Sequence, residues 1–471
     1  MAGIGFALKS LTRQDNLLGV WGAFIHAALV VAGPWIFTVL GIALIALVTG
    51  GNNDLTTLNF RGIITYNFSF SLVLTAPITI VVTRFLADQI HLRDVTQAPA
   101  VLFYALKIIM MGLFLVGGLF YFLATSYQFS IQISAIVNLC LIGGIWLLGI
   151  YLLALKDYLS VSFSFATGML VGVIAAFLLS NYGVLGVLNG FSIGLTWIFF
   201  CLLAKILAEY PSRLDEQTNW NTPTQIQPTQ FKGYFKHHRC LMIFSFCYSA
   251  AIWVDKWIFW YFAPEAESLS AGLHYFGIYD NALFLAYLTL LPALALFVIN
   301  VETDFFKNYQ RFYEDILSHQ SLRIIRSNQK KILSSLLRGL RHFLILQGVF
   351  SLLIITTAPA LLDFLHLSFL QVGMFKLGTL GAFFHGLILF GLVLLSYFDC
   401  RRELVILSAS FLISNIIFTF TSIFLGFNWY GYGYFFSCLL TSLLTMITLL
   451  NHVRHLPYHA FVTHNQAVEA V

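Results

Sequence analysis

The stretch VLFYALKIIMMGLFLVGGLFYFLA, Val101 to Ala124, carries a single charged residue, Lys107, in 24 positions. An α-helix needs roughly 20 apolar residues to cross about 30 Å of hydrocarbon, so this stretch reads as a membrane span. Ile133 to Leu153 follows after a short polar break and carries no charge at all. The pattern repeats from end to end of the 471 residues: 59% are hydrophobic and 10% charged, against roughly 25% charged in a soluble domain. Mean hydropathy is +0.85. A soluble enzyme is excluded, and so is a transmembrane barrel, whose strands alternate polar and apolar residues. The sequence specifies an all-α polytopic membrane protein.

Windows of about 19 residues place six spans in the first half, near Val20 to Val48, Ile63 to Val82, Val101 to Ala124, Ile133 to Leu153, Ser160 to Leu179 and Val184 to Ala204. Six more fall near Cys240 to Phe262, Gly272 to Ile299, Leu340 to Leu362, Leu377 to Tyr397, Leu404 to Leu425 and Tyr430 to Leu450. The first segment is far longer than the roughly 7 to 15 residues of a signal-peptide core and is expected to stay in the mature protein. Lys and Arg test the count, because cytoplasmic loops hold them in excess. With the N-terminus inside, the outer loops hold only Arg61 and Lys376 of the 25 basic residues; Lys256 lies within a span, and Lys107 and Arg341 lie near the cytoplasmic ends of theirs. Both termini are then expected in the cytoplasm. The formal net charge of +5 reports this distribution rather than an acidic partner, and nucleic-acid binding is not indicated.

Glu209 to Arg239 contains Pro211, Pro223, Pro228 and a Thr/Gln/Asn-rich run, the composition of a flexible linker. It divides the chain into an N-terminal six-helix lobe (1–207), a cytoplasmic linker (208–239), a C-terminal six-helix lobe (240–450) and a cytoplasmic tail (451–471). An even number of spans per half makes the two halves parallel, an arrangement suited to alternating access. Within the second half, 301–341 forms a cytoplasmic segment. Phe305, Tyr309, Phe312 and Ile316 recur at helical spacing, followed by Arg323, Arg326, Lys330, Lys331, Arg338 and Arg341. This predicts an amphipathic helix with a basic end, which either only orients the chain, lies on the inner leaflet or docks a partner through Arg323, Arg326, Lys330 and Lys331.

No phosphate-binding G-x-x-x-x-G-K-[ST] motif is present, so the chain is no P-loop ATPase. Asp54 and Asp363 are isolated carboxylates on the outer side, and no arrangement of residues points to catalysis; no cofactor is expected. The six cysteines lie in or beside apolar segments without metal-ligand spacing, so they read as small hydrophobes and no metal is expected.

Ionisable residues inside spans are costly and concentrate on bundle interiors or aqueous cavities. In the seventh span, Trp253-Val254-Asp255-Lys256-Trp257-Ile258-Phe259-Trp260 sets a carboxylate beside an ammonium among indoles; in the eighth, Asp280 sits in Tyr279-Asp280-Asn281. Side chains of adjacent helical residues point about 100° apart, so Asp255 and Lys256 are expected to find partners on other helices rather than each other. An interhelical ion pair, a polar transport pathway formed by Asp255, Lys256, Asp280, Trp253, Trp257 and Tyr279, and a site for a coupling Na⁺ or H⁺ are all open on this reading. Gly33-Pro34 in the first span and Pro292 in the eighth remove backbone hydrogen bonds and are candidate hinges. His26 and His385 read as packing residues.

The N-terminal run Met1-Ala2-Gly3-Ile4-Gly5-Phe6 with Leu8 and Leu11, then Gly33-Pro34-Trp35, then Trp253 to Trp260, resembles the PelG family of Pel exopolysaccharide transporters. Tyr279-Asp280, Phe284-Leu285-Ala286-Tyr287-Leu288-Thr289, Pro292 and Glu302-Thr303-Asp304-Phe305-Phe306 are similar to the family's pattern in order and spacing. Ala7 and Ser10 depart from it, standing where charged residues are expected. The resemblance implies a branch of the multidrug/oligosaccharidyl-lipid/polysaccharide exporter superfamily, with twelve helices in two six-helix lobes. It also implies export of a partly deacetylated N-acetylhexosamine polymer across the bacterial inner membrane for a biofilm matrix. The implied partners are a cytosolic glycosyltransferase (PelF) and the membrane proteins PelD and PelE. The alternative is a cation-coupled small-molecule or multidrug exporter of the same fold.

Single cysteines in a cysteine-free background test the topology. Glu265→Cys is expected to react with a membrane-impermeant maleimide in intact cells, and Gln217→Cys only after permeabilisation.

Overall fold

The computed structural model describes residues 17–50, 55–92, 94–155, 157–210, 228–291 and 305–463. The N-terminal motif, Asp54, most of the linker (211–227), Pro292, Glu302 to Asp304 and the end of the tail lie outside the described residues. The described residues are helical almost throughout. Its elements are α1 (Leu17–Val48), α2 (Leu55–Leu92), α3 (Ala98–Ala124), α4 (Phe129–Ala154), α5 (Tyr158–Leu179), α6 (Gly183–Glu209), α7 (Pro228–His237) and α8 (Arg239–Phe262). A two-residue antiparallel ladder follows, β1 (Glu267–Ser268) with β2 (His274–Tyr275). Then come α9 (Gly277–Leu288), α10 (Phe306–Leu317), α11 (Leu322–Phe364), α12 (Gln371–Tyr397), α13 (Arg401–Leu425) and α14 (Tyr432–Arg454). Among the described residues, nine helical stretches are long and apolar enough to cross a membrane. One of them, Tyr158–Glu209, joins α5 and α6 through the turn Ser180–Tyr182.

Local chemistry sets the ends of several helices. The Asp157 carboxylate accepts from the Ser160 backbone N–H at 3.2 Å and caps α5, Pro99 occupies the first turn of α3, and Gly426 at φ 94° closes α13. Proline does not break the helices that carry it. α1 runs through Pro34 and α2 through Pro77; beside Pro77, the Ala76 carbonyl accepts a hydrogen bond from Ser245 Oγ at 3.0 Å.

Two compact units emerge. The first holds Ala32–Trp253 and Phe259–Phe276. In it α5 packs tightly on α6 because both carry small residues at four-residue spacing: Gly168, Gly172 and Ala176 face Gly190 and Gly194. A Cβ added at Gly190 would lie 2.3 Å from the Ala176 backbone, and one at Gly194 would lie 2.5 Å from the Gly168 carbonyl oxygen. The helix backbones are therefore in direct contact. A buried polar network joins α2, α3, α4 and α6. Asn67 donates to the Ala135 carbonyl and to Asn138 Oδ1, both at 3.0 Å, and accepts from the Tyr121 hydroxyl at 2.7 Å. Asn138 in turn donates to Ser192 Oγ at 3.1 Å. Every one of these groups is buried, so the hydrogen bonds replace the water that the interior excludes. The β-ladder region belongs to this unit: the Tyr66 hydroxyl donates to the His274 carbonyl at 2.9 Å, and the Tyr66 ring lies 4.4 Å from that of Trp260.

The second unit holds the part of α1 up to Val31, Val254–Ile258 of α8, and the described residues from Gly277 onward. Here α12 is the central helix, packing against α9, α11 and α14, with α13 on α14. The expected amphipathic helix divides in two: its apolar periodicity falls on α10, while its basic end runs without a break into the ninth span. Arg323 and Phe364 lie on the one uninterrupted 43-residue helix α11, because nothing in Leu322 to Leu340 breaks a helix and a hydropathy window registers only the apolar end. The apolar face of α10 is taken up by the chain itself. Phe305 and Phe312 are buried, the Tyr309 hydroxyl donates to the Tyr397 carbonyl at 2.8 Å, and Asn328 of α11 donates to Asp315.

Gly190→Leu forces apart backbones that touch, and overpacking of this kind costs about 1 to 3 kcal/mol or more. The variant is expected to show a lowered melting temperature in detergent and reduced membrane abundance. Gly149→Leu, where an added Cβ meets nothing within 4 Å, is expected to match the wild type.

Candidate transport site

Asp255 and Lys256, on the part of α8 that belongs to the second unit, are both buried, with the carboxylate-bearing residue at 0% exposure and the ammonium-bearing residue at 6%. They pair with each other. Lys256 Nζ lies 3.1 Å from each of the Asp255 oxygens. The expectation that neighbours on a helix would not meet fails because the four-carbon lysine stem curls back across the 100° between them. The interhelical partner is a hydroxyl: Tyr279 of α9 donates to Asp255 Oδ2 at 2.8 Å. Asp255 thus accepts three hydrogen bonds in a setting where a bare carboxylate would be costly.

Aromatic groups complete the surroundings of the ammonium. Lys256 Nζ lies 5.2 Å from the ring centre of Tyr287 on α9 and 5.9 Å from that of Tyr434 on α14, distances at which a ring quadrupole attracts a cation. Tyr434 Oη and His385 Nδ1 of α12 share a hydrogen bond of 2.8 Å. Gly381 on α12 leaves the room the Tyr434 ring fills, since a Cβ there would come within 2.5 Å of it. Four helices therefore converge on one buried charge pair: α8, α9, α12 and α14.

The remaining residues singled out in the sequence fall in several places. Trp257 and Trp253 are half-buried on α8. Asp280 is half-buried in the first turn of α9, where the partial positive charge of the helix N-terminus favours a carboxylate. Gly33 packs against α5, with Ser162 Oγ 2.8 Å from the position of an added Cβ, and the Pro34 carbonyl accepts from Thr38 Oγ1 at 2.8 Å. Arg323, Arg326, Lys330 and Lys331 are exposed on α11.

A family model described as "PelG: Putative exopolysaccharide Exporter (EPS-E)" matches residues 1–461. The chain belongs to the PelG family. Among curated proteins no sequence matches. Solved structures of similar fold include an outward-facing multidrug resistance MATE family transporter of the MOP superfamily, with TM-score 0.67 and 10% identity over 92% of this chain and 96% of that one. A MOP superfamily transporter from Pyrococcus furiosus gives TM-score 0.63 and 12% identity, covering 97% of each chain. A mutant of the Vibrio cholerae MATE transporter VcmN gives TM-score 0.64 and 11% identity over 96% of this chain and 97% of that one. At such identities the likeness shows the fold alone: the described residues, helical almost throughout, take up a fold similar to that of these MOP-superfamily transporters.

Tyr287, Tyr434 and His385 were not legible as site residues of this PelG protein. Tyr279 and Tyr287 stand two turns apart on α9, a spacing visible in the sequence, but Tyr434 and His385 reach the site from helices more than a hundred residues away. A tyrosine or histidine in an apolar span carries no mark of which neighbour it will meet.

Removing one member of a buried pair leaves the other uncompensated, at a cost of about 3 to 5 kcal/mol. Lys256→Met is therefore expected to lower the melting temperature in detergent more than Tyr279→Phe, which removes a single hydrogen bond to a charged group worth about 1.5 to 3 kcal/mol. The double variant Asp255→Asn/Lys256→Met is expected to be more stable than Lys256→Met alone.

Proposed function

We propose that this PelG-family chain moves a Pel-type exopolysaccharide, a partly deacetylated N-acetylhexosamine polymer, across the bacterial inner membrane during biofilm matrix synthesis. It works in a complex with the cytosolic glycosyltransferase PelF and the membrane proteins PelD and PelE. The observation that carries the reading is the exopolysaccharide-exporter family match over residues 1–461. The reading takes twelve crossings in two six-helix lobes, 1–207 and 240–450 joined by the linker 208–239, with both termini and the 451–471 tail in the cytoplasm. α1 to α6, α8, α9 and α11 to α14 each overlap one span expected from hydropathy.

The transport pathway in this reading takes in Asp255, Lys256, Asp280, Trp253, Trp257 and Tyr279, with Gly33, Pro34 and Pro292 as hinge positions. The buried charge pair supports a definite chemistry for such a pathway. The Lys256 ammonium occupies the carboxylate of Asp255 at 3.1 Å, and a deacetylated hexosamine carries a chemically similar ammonium. A passing amine that takes the place of Lys256 at Asp255 keeps the carboxylate paired, while the displaced Lys256 ammonium is left with the rings of Tyr287 and Tyr434. Indole and phenol rings nearby supply flat apolar faces on which sugar rings stack.

The test is secreted polymer, detected with a hexosamine-specific lectin, beside membrane abundance of the protein. Asp280→Asn and the double variant Asp255→Asn/Lys256→Met are each expected to lower export by about tenfold or more, the equivalent of one charged hydrogen bond, with abundance retained, whereas Asp255→Asn leaves Lys256 uncompensated and is expected to lower export and abundance together. Recovery of export in the double variant would assign the pair to packing, and unchanged export in all three would remove the carboxylates from the pathway.

A further inference from the structure

Buried hydroxyls on α13 and α14 mostly turn back on their own helix. Ser408 donates to the Val405 carbonyl at 3.0 Å, Ser422 to Thr419 at 2.7 Å, Ser442 to Leu439 at 2.8 Å and Thr445 to Thr441 at 2.7 Å. Ser437 and Thr441, one turn apart on α14, do not. Both are at 0% exposure, and among the described residues neither hydroxyl has a hydrogen-bond partner. A helical serine or threonine can bond the carbonyl a turn before it, so these two hydroxyls are aimed away from their own backbone. Burial in that state is destabilising unless another group meets them.

Their direction follows from the neighbours on α14. Gly433 touches α13, since an added Cβ would lie 2.7 Å from Thr419 Cα, while Tyr434 faces α12 at Gly381. At about 100° per residue Ser437 and Thr441 stand about 40° and 80° round from Gly433, between those two lines of contact. They point into the wedge where α12, α13 and α14 meet, at the level where the His385 ring approaches that of Phe411 to 5.5 Å.

Charge and size limit what the wedge holds. α12 and α14 contain no acidic residue, and α13 has only Glu403, in its first turn and about 12 Å along the axis from Phe411. A bare cation would lack a counter-charge there. A sugar ring does not fit beside residues with no exposed surface. Water both donates and accepts, as two hydroxyls require. Residues one turn apart have about 5 to 6 Å between their Cβ atoms, the span of one oxygen bonded to both hydroxyls at about 2.8 Å. The antiparallel register that sets Thr419 on Gly433 brings Asn415, also at 0% exposure, level with Ser437. Its carboxamide supplies the third partner that a buried water usually has.

We propose that Ser437 and Thr441 form a buried water-binding site in the wedge between α12, α13 and α14. The site lies within one turn of Tyr434, whose ring faces the Lys256 ammonium, so an exchangeable polar ligand is held beside the charge pair whatever the chain transports.

The test is radiolytic labelling of the full chain in phosphatidylcholine nanodiscs. A brief X-ray pulse turns water, bound water included, into hydroxyl radicals that modify adjacent side chains, which mass spectrometry then reads. Tyr434 and Cys438, at 1% and 0% exposure, are expected to be modified. Ser437→Ala/Thr441→Val is expected to lower that modification several-fold and to lower the melting temperature. Thr441→Ser, which keeps the hydroxyl, and Thr445→Val, whose lost hydroxyl bonds its own helix, are expected to keep the labelling. Unmodified Tyr434 and Cys438 in the wild type, or modification that survives the double removal, overturns the site. A raised melting temperature in the double variant also overturns it, because deleting a buried hydroxyl that has no partner relieves the protein of a cost.

Discussion

Hydrocarbon offers no hydrogen-bond partner, and nearly every feature of this chain answers to that. Backbone groups must be satisfied within each segment, which leaves the helix as the form for its long apolar runs. The same constraint governs side chains. Asn67, Asn138, Tyr121 and Ser192 bond one another in the first unit, and Asp255, Lys256 and Tyr279 do so in the second. Hydrophobic burial cannot drive helices together in lipid, so close contact must. The glycine seam of α5 and α6 provides it, with backbones touching at Gly190 and Gly194.

The two polar clusters differ in kind. The asparagine network is neutral, fully buried and multiply bonded, so it holds four helices in one arrangement and has little reason to change. The Asp255–Lys256 pair is charged, and its stability depends on each member keeping the other. A group that replaces one partner while preserving the charge balance disturbs it at little cost, whereas a group that removes one charge disturbs it severely. That asymmetry makes a buried pair suitable for handling a cationic polar substrate inside an apolar bundle. It also explains why three tyrosines and a histidine gather around so small a feature: the hydroxyl of Tyr279 and the rings of Tyr287 and Tyr434 lower the cost of keeping the charges there.

Adjacent residues give the clearest case of a sequence reading corrected. Helical geometry alone places Asp255 and Lys256 on different faces, and on short side chains that would decide the matter. Lysine has a long flexible stem, and a buried carboxylate with no competing water draws it back. α11 is a second case. Hydropathy divides it into a cytoplasmic segment and a span, while the backbone recognises no such boundary, since helix propensity persists through the basic stretch.

The fold class, the approximate spans and the intramembrane charges were all legible in the sequence, because each depends on composition over a window and on the fixed rise of a helix. The family resemblance was legible in short ordered runs such as Trp253 to Trp260. Pairings were not. Which hydroxyl reaches Asp255, which rings face Lys256, and that Gly168, Gly172 and Ala176 oppose Gly190 and Gly194 all depend on how helices rotate and approach one another. Apolar residues surround these helices on every side, so hydrophobic periodicity hardly marks their inner faces. Only tertiary contact distinguishes them.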